Sequence, residues 1–170
     1  MPNIWFTSDC HFSHNRIIQY CNRPFQTIEE MDSTLISNIN RLVKKNDTLW
    51  YLGDFVWYGS RNIQRYRQQI NCRRFHLILG NHDGKIRKRP QDFSCFESID
   101  EIKDIKIGDK NIVLCHYSMR VWNKKHYGAL HLYGHSHGTL EKYQQSMDVG
   151  VDTNSFYPYN FDEIVHNITD

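Results

Sequence analysis

Eight side chains suited to metal binding or proton transfer follow apolar runs in this chain: Asp9, His11, Asp54, Asn81, His82, His116, His135 and His137. The runs read IWFTSDCH, LWYLGDF, FHLILGNHDG, IVLCHY and LHLYGHSH. A short apolar run that breaks at glycine or into polar residues is expected to be a buried strand ending in a tight loop. Carboxylate, amide and imidazole, with no thiolate in the set, suit a divalent ion such as Mn, Fe, Zn or Co. In D-x-H and H-x-H the two side chains would point the same way on extended chain, so both could reach one ion. Asp54 follows a glycine, which permits close backbone approach, and a single carboxylate can bridge two ions. Any one of these residues alone would more often be a structural hydrogen-bonder. Together they predict a metal site.

Elements able to position such residues can be read along the chain. Strands are expected at Asn3 to Thr7, Thr48 to Leu52 and Phe75 to Leu79. Thr27 followed by Glu30 has capping-box spacing, and apolar residues from Ile28 to Val43 recur at helical intervals, predicting a helix from Ile28 to Lys44. The stretch after His11 is a loop or short helix, which Pro24 ends, and Ser60 is expected to cap a helix running through Ile70. Strand and helix alternation of this kind implies a mostly parallel sheet, with ligands at the carboxyl ends of its strands. Beyond Phe96 the pattern changes to short strands near Ile102 to Ile107, Asn111 to Cys115, His131 to Tyr133 and Met147 to Val151, with a hairpin at Gly108-Asp109. One further helix is expected before His131. The fold class is therefore α/β, with two packed mixed β-sheets flanked by helices.

The 170 residues suffice for one domain with a single core, and 39% hydrophobic content argues against disorder. A net charge of +2 is too mild to imply a nucleic-acid partner. No apolar stretch reaches membrane-spanning length, and MPNIWFTSD has no signal-peptide pattern. Five scattered cysteines without a CxxC pair suggest reduced thiols and a cytoplasmic protein.

The segments SDCH (Ser8 to His11), GD (Gly53-Asp54), GNHD (Gly80 to Asp83), the isolated His116 and GHSH (Gly134 to His137) occur in an order that resembles the calcineurin-like metallophosphoesterases. FTSDCHFSHNRII and CNRPF look like the small single-domain bacterial and phage phosphoesterases of that superfamily. The resemblance implies two divalent ions, manganese first, with Fe, Zn, Ni, Co or Mg as alternatives. It implies that Asp9, His11 and His137 hold one ion, that Asn81, His116 and His135 hold the other, and that Asp54 bridges them. It further implies that a metal-activated hydroxide attacks phosphorus while His82 faces the phosphate as proton donor or transition-state stabiliser. Trp57 stands where the superfamily's Ser/Thr protein phosphatases carry an acidic residue, which argues against that activity. The orientation of His82 must then come from elsewhere, with Asp83 as a candidate.

Hydrolysis of a small phosphodiester of nucleotide type is the favoured reading. A phosphomonoesterase, a nuclease and a non-catalytic scaffold of the same fold are the alternatives. Asn15 and Arg16 could contact a phosphate oxygen, and Tyr117, Arg120 and Trp122 could wall a substrate site. Trp57 and Tyr58 could form the opposite wall, although core packing is the simpler role for Trp57. His14 either supports His11 or caps a helix. Cys10 fits as a small filler, and the Lys85-to-Arg89 run could steer a nucleotide or phosphorylated substrate, a solvated loop being the simpler reading.

Overall fold

The computed structural model describes residues 2–57 and 62–169. Tyr58 and Ser60 lie outside the described residues. The first sheet contains β1 (Ile4–Thr7), β2 (Thr48–Tyr51), β3 (Arg74–Ile78), β4 (Ser98–Asp100) and β9 (Tyr159–Asn160), in the order β4-β3-β2-β1-β9. Its first four strands run parallel, and β9 pairs antiparallel with β1. The second sheet has the order β5-β6-β7-β8, built from Ile102–Ile107, Lys110–Cys115, Leu130–Tyr133 and Ser146–Asp148. There β5 and β6 form the expected antiparallel hairpin, and β6, β7 and β8 run parallel. Both sheets are mixed.

Side-chain alternation sorts the cores. Phe6, Trp50, Leu52 and Ile78 point from the first sheet toward Ile112, Leu114, Leu130 and Leu132 of the second. Alternate residues Leu49, Tyr51, Phe75 and Leu77 face the other way, onto the helical layer. That layer contains α1 (Asn15–Tyr20), α2 (Ile28–Leu42) and α3 (Ile63–Gln68). Thr27 caps α2 by accepting from the Glu30 N–H at 3.2 Å, and Met31, Leu35 and Ile39 form its buried stripe. The helix stops short of Lys44 because Val43 turns extended and the Asp47 carboxylate takes the Lys44 N–H at 2.9 Å.

Other departures from expectation lie in short or edge elements. The helix expected before His131 is a single 3-10 turn, Lys125–Tyr127. The strand expected to reach Val151 ends at Asp148, because Gly150 leaves the second sheet to bridge Ser8 in the first. Strands β4 and β9, α4 (Gly84–Lys88) and the C-terminal α5 (Phe161–Thr169) were not anticipated. Among the described residues no helix is long and apolar enough to cross a membrane.

Candidate metal centre

Five parallel strands, β1, β2 and β3 of the first sheet and β6 and β7 of the second, are followed by loops that carry the chemistry. Asp9 and His11 follow β1, Asp54 follows β2, and Asn81 and His82 follow β3. His116 follows β6, and His135 and His137 follow β7. The first-sheet loops are tied together by bonds from the N–H groups of Asp9 and His11 to the carbonyls of Gly53 and Asp54, both 3.0 Å. The N–H of Gly134 donates to the His116 carbonyl, which does the same for the second sheet.

The paired side chains do not converge through extended backbone, contrary to the argument from D-x-H and H-x-H. Asp9, His11, Asp54, His135 and His137 all have positive φ, between 49° and 65°. A left-handed residue with a β-carbon costs about 1–2 kcal/mol, and such residues concentrate at functional sites. Here they curl each loop so that its side chains face inward. Gly53, at φ +97°, lets the second loop pass against His116, where an added β-carbon would lie 2.5 Å from the imidazole Nδ1.

The side chains form two groups. The ligand atoms of Asp9, His11 and His137 lie within 4.8 Å of one another, as do those of Asp54, His116 and His135. Asn81 joins the second group, its Oδ1 3.2 Å from His116 Nε2. Asp54 Oδ2 stands between them, 3.5 Å from His11 Nε2 and 3.5 Å from His116 Nε2.

The residues fit divalent ions on two grounds. Asp9 Oδ1 and both ring nitrogens of His11 are buried without a hydrogen-bond partner. Leaving such groups unsatisfied costs about 1–3 kcal/mol each, so a cation at their focus accounts for their placement. The tautomers are also set for ligation. His116 Nδ1 lies 2.7 Å from the Leu52 carbonyl, which leaves Nε2 facing Asp54 and Asn81. His137 Nδ1 lies 2.7 Å from Asp152 Oδ2, which leaves its Nε2 likewise available.

Burial raises the Asp9 carboxyl to about 6, the nearby imidazoles only partly opposing it. Burial resists ionisation of Asp54 as well, but the hydrogen bond and charge of His116 outweigh it and hold the group down at about 2. For His116 burial disfavours the cation, yet Asp54 and Asp9 raise it to about 9. The imidazole of His11 is driven well below its usual range, chiefly by burial. These are the protonation preferences that a metal ion would compete against.

A frame beneath the candidate ligands is built from Arg23, which lies in the CNRPF segment, and from Asp148 and Asp152, which no motif flagged. Buried Arg23 donates to the carbonyls of Asp9 (2.7 Å) and Cys10 (3.0 Å) and binds both carboxylate oxygens of Asp152 (2.8 and 2.7 Å). One guanidinium thus joins the β1 loop to the carboxylate that holds His137. Asp148 accepts from Ser136 Oγ and the Gly138 N–H and shapes the H-x-H turn. Asp152 follows the apolar triplet Val149-Gly150-Val151, the same signal that marked the ligands. Arg23 follows no apolar run, and CNRPF marked it without a role.

Asp83 does not orient His82. Its buried carboxylate instead accepts from the N–H groups of Gly80 (2.8 Å), Asp54 (2.8 Å) and Phe55 (3.1 Å), clamping the β2 and β3 loops together. The His82 backbone N–H donates to Asp54 Oδ1 at 2.8 Å, and its ring stands 5.1 Å from that of His11 and 4.9 Å from that of Trp57. Its Nε2 lies 3.9 Å from Asp54 Oδ2.

The two tryptophans exchange the roles expected of them. Trp122 is buried with Val113 and Ala129 behind the second sheet, its Nε1 donating to the Ala129 carbonyl, so it cannot wall the site. Trp57 instead lines the cleft that contains both candidate ligand groups, together with His14, Tyr20 and Leu140. Arg120 lies in a neighbouring depression outside this cleft. Asn15 and Arg16 are exposed on the first turn of α1 and are not among the cleft-lining residues. Tyr117 does reach the centre, its ring 4.8 Å from that of His135. His14 caps α1, its Nδ1 accepting from the Ile17 N–H at 3.2 Å. Cys10 is a buried filler whose thiol burial pushes up to about 12.

Comparison with known proteins places these features in a family context. The family model described as Calcineurin-like phosphoesterase matches residues 2–155. The chain is 28% identical to an uncharacterized protein of Methanocaldococcus jannaschii, over 97% of this chain and 90% of the other. It is 27% identical to the Gene 66 protein of Mycobacterium phage L5, over 89% and 87% respectively. A crystal structure of a protein of unknown function from Aquifex aeolicus superposes with a TM-score of 0.77 at 25% identity, covering 99% of this chain and 100% of that one. An Escherichia coli phosphoesterase shares the fold, with a TM-score of 0.50 at 17% identity over 87% of this chain and 78% of its own.

Proposed function

This chain belongs to the calcineurin-like phosphoesterase family, and we propose that its reaction is hydrolysis of a phosphodiester at a pair of divalent ions. The observation that carries the proposal is the position of Asp54 Oδ2, 3.5 Å from the Nε2 atoms of both His11 and His116. A carboxylate so placed is suited to being shared by two ions. Asp9, His11 and His137 would hold the first ion, and Asn81, His116 and His135 the second. Bound there, the ions would supply Lewis acidity, acidifying water and neutralising charge on the phosphoryl oxygens.

The chain's own residues do the rest. Arg23, Asp83 and Asp152 hold the ligand loops in place. His82, whose ring stands beside those of His11 and Trp57, would donate an N–H to the leaving oxygen. Preference for a diester is supported by the cleft lining, which among the described residues includes no lysine or arginine to meet the second charge of a monoester.

Paired aryl phosphodiester and monoester substrates, assayed with Mn, Mg, Zn, Ni and EDTA, test the reading. We expect diester cleavage that requires metal and collapses in Asp54→Asn. His82→Ala should lose about 10²- to 10⁴-fold on a poor leaving group and far less on p-nitrophenolate. A monoester preference would sink the diester assignment. Two bound ions with no turnover would make the chain a scaffold.

A further inference from the structure

Aromatic rings run without a break from the open rim of the cleft to the metal ligands. The ring of Tyr20 lies 6.2 Å from His14, His14 lies 3.5 Å from Trp57, Trp57 lies 4.9 Å from His82, and His82 lies 5.1 Å from His11. Tyr20 and Trp57 are 66% and 38% exposed, although apolar rings of this size are normally covered. Leu140, 53% exposed, lines the same cleft of about 650 Å³.

Two hydrogen bonds anchor the middle of this wall. The α1 cap bond fixes the His14 ring that backs Trp57, and the Trp57 N–H donates to the Phe12 carbonyl at 2.9 Å. A flat group brought by the substrate would cover these rings and remove apolar surface from water. Among the described residues the lining includes no lysine or arginine.

We propose that Tyr20 and Trp57 form a stacking subsite for a flat aromatic ring esterified to the phosphate, that of a nucleobase-bearing or an aryl phosphodiester. This names a substrate class for the hydrolysis proposed above and rests on that reading. The ring beside His82 places the substituent next to the proton donor, so stacking would align the ester bond as well as bind it. Base–aromatic stacking contributes about 1–3 kcal/mol, enough to select such substrates over sugar phosphates.

The test is a titration followed by NMR of the tryptophan indole N–H signals, using the full chain in magnesium buffer with adenosine, phenol or ribose added. Four tryptophans give four signals, of which Trp5, Trp50 and Trp122 belong to buried rings. Trp57→Phe assigns the fourth by its disappearance. The expected result is a saturable shift of the Trp57 signal with adenosine or phenol and none with ribose. The tighter of the two ligands separates a nucleotide from an aryl ester. Tyr20→Ala, read by the Trp57 signal it leaves in place, should weaken binding about 5- to 150-fold, with Tyr20→Phe retaining most of it. The three buried signals report that each variant folds. A Trp57 signal unmoved up to the solubility limit of adenosine and phenol, or moved equally by ribose, would overturn the subsite. The titration needs no turnover. A protein that stacks adenosine but hydrolyses nothing loses the reaction and keeps the subsite, and active protein with a silent Trp57 does the reverse.

Discussion

Replacing Arg23 with methionine tests whether the buried guanidinium holds the proposed metal ligands from beneath. The side chain has no solvent exposure, and that of Asp152 has 8%. Arg23→Met keeps the length of the aliphatic stem but orphans the carbonyls of Asp9 and Cys10 and leaves Asp152 with His137 as its remaining charged partner. Removing one member of a buried ion pair costs about 3–5 kcal/mol. For a domain of this size each kcal/mol lowers the melting temperature by about 2–4 °C, so a fall of about 6–20 °C is expected. Release of the β1 loop and of His137 should also weaken metal binding by about 10- to 100-fold. Thermal unfolding by circular dichroism in EDTA reads the first effect, and calorimetric titration with zinc reads the second. Asp152→Asn should show a similar loss, because it leaves Arg23 buried beside a neutral amide. The double variant should lose less than the sum, since neither charge is then stranded. Unchanged melting and metal affinity in Arg23→Met would refute the frame, and additive losses would show that the two side chains act separately.

Other outcomes follow from the same geometry. The metal-free protein should lose stability as pH rises from neutrality. Burial disfavours the charged forms of His116 and His137, but hydrogen bonds to Asp54 and Asp152 raise the two rings from 6.5 to about 9 and about 10. Both then bind protons more tightly folded than unfolded, so their contribution is complete below 6.5 and lost as pH climbs through about 9 and 10. Melting in EDTA across that window should decline, saturating divalent ion should flatten the decline, and a rising melting temperature would contradict the assignment. Gly134→Ala should abolish binding at the Asp9 site, because the new β-carbon would collide with Ser8 Oγ and Asp9 Oδ2. Full zinc stoichiometry in that variant, measured by mass spectrometry under native conditions, would show that the loop can yield.

The sequence by itself determined the repeating pattern of apolar run, break and ligand. Because a strand end is local, it placed Asp9, His11, Asp54, Asn81, His82, His116, His135 and His137 at strand ends that the fold brings to one edge. Helix α2 was equally legible, since its cap and its stripe lie within its own residues. Residues whose roles depend on distant partners were not. Arg23 meets Asp152 across 129 positions, and Asp83 acts on the β2 loop 28 and 29 positions away, so neither function has a local signature. Trp57 and Trp122 are the same residue type, each a few positions after a ligand, and no propensity distinguishes them. Tertiary packing decided that Trp122 closes a core behind the second sheet, whereas Trp57, backed by His14, stays on the open side of the cleft. Even the way paired ligands converge was a tertiary matter. Left-handed backbone at five of the candidate ligands costs energy locally and persists because the sheets and the buried frame hold it there.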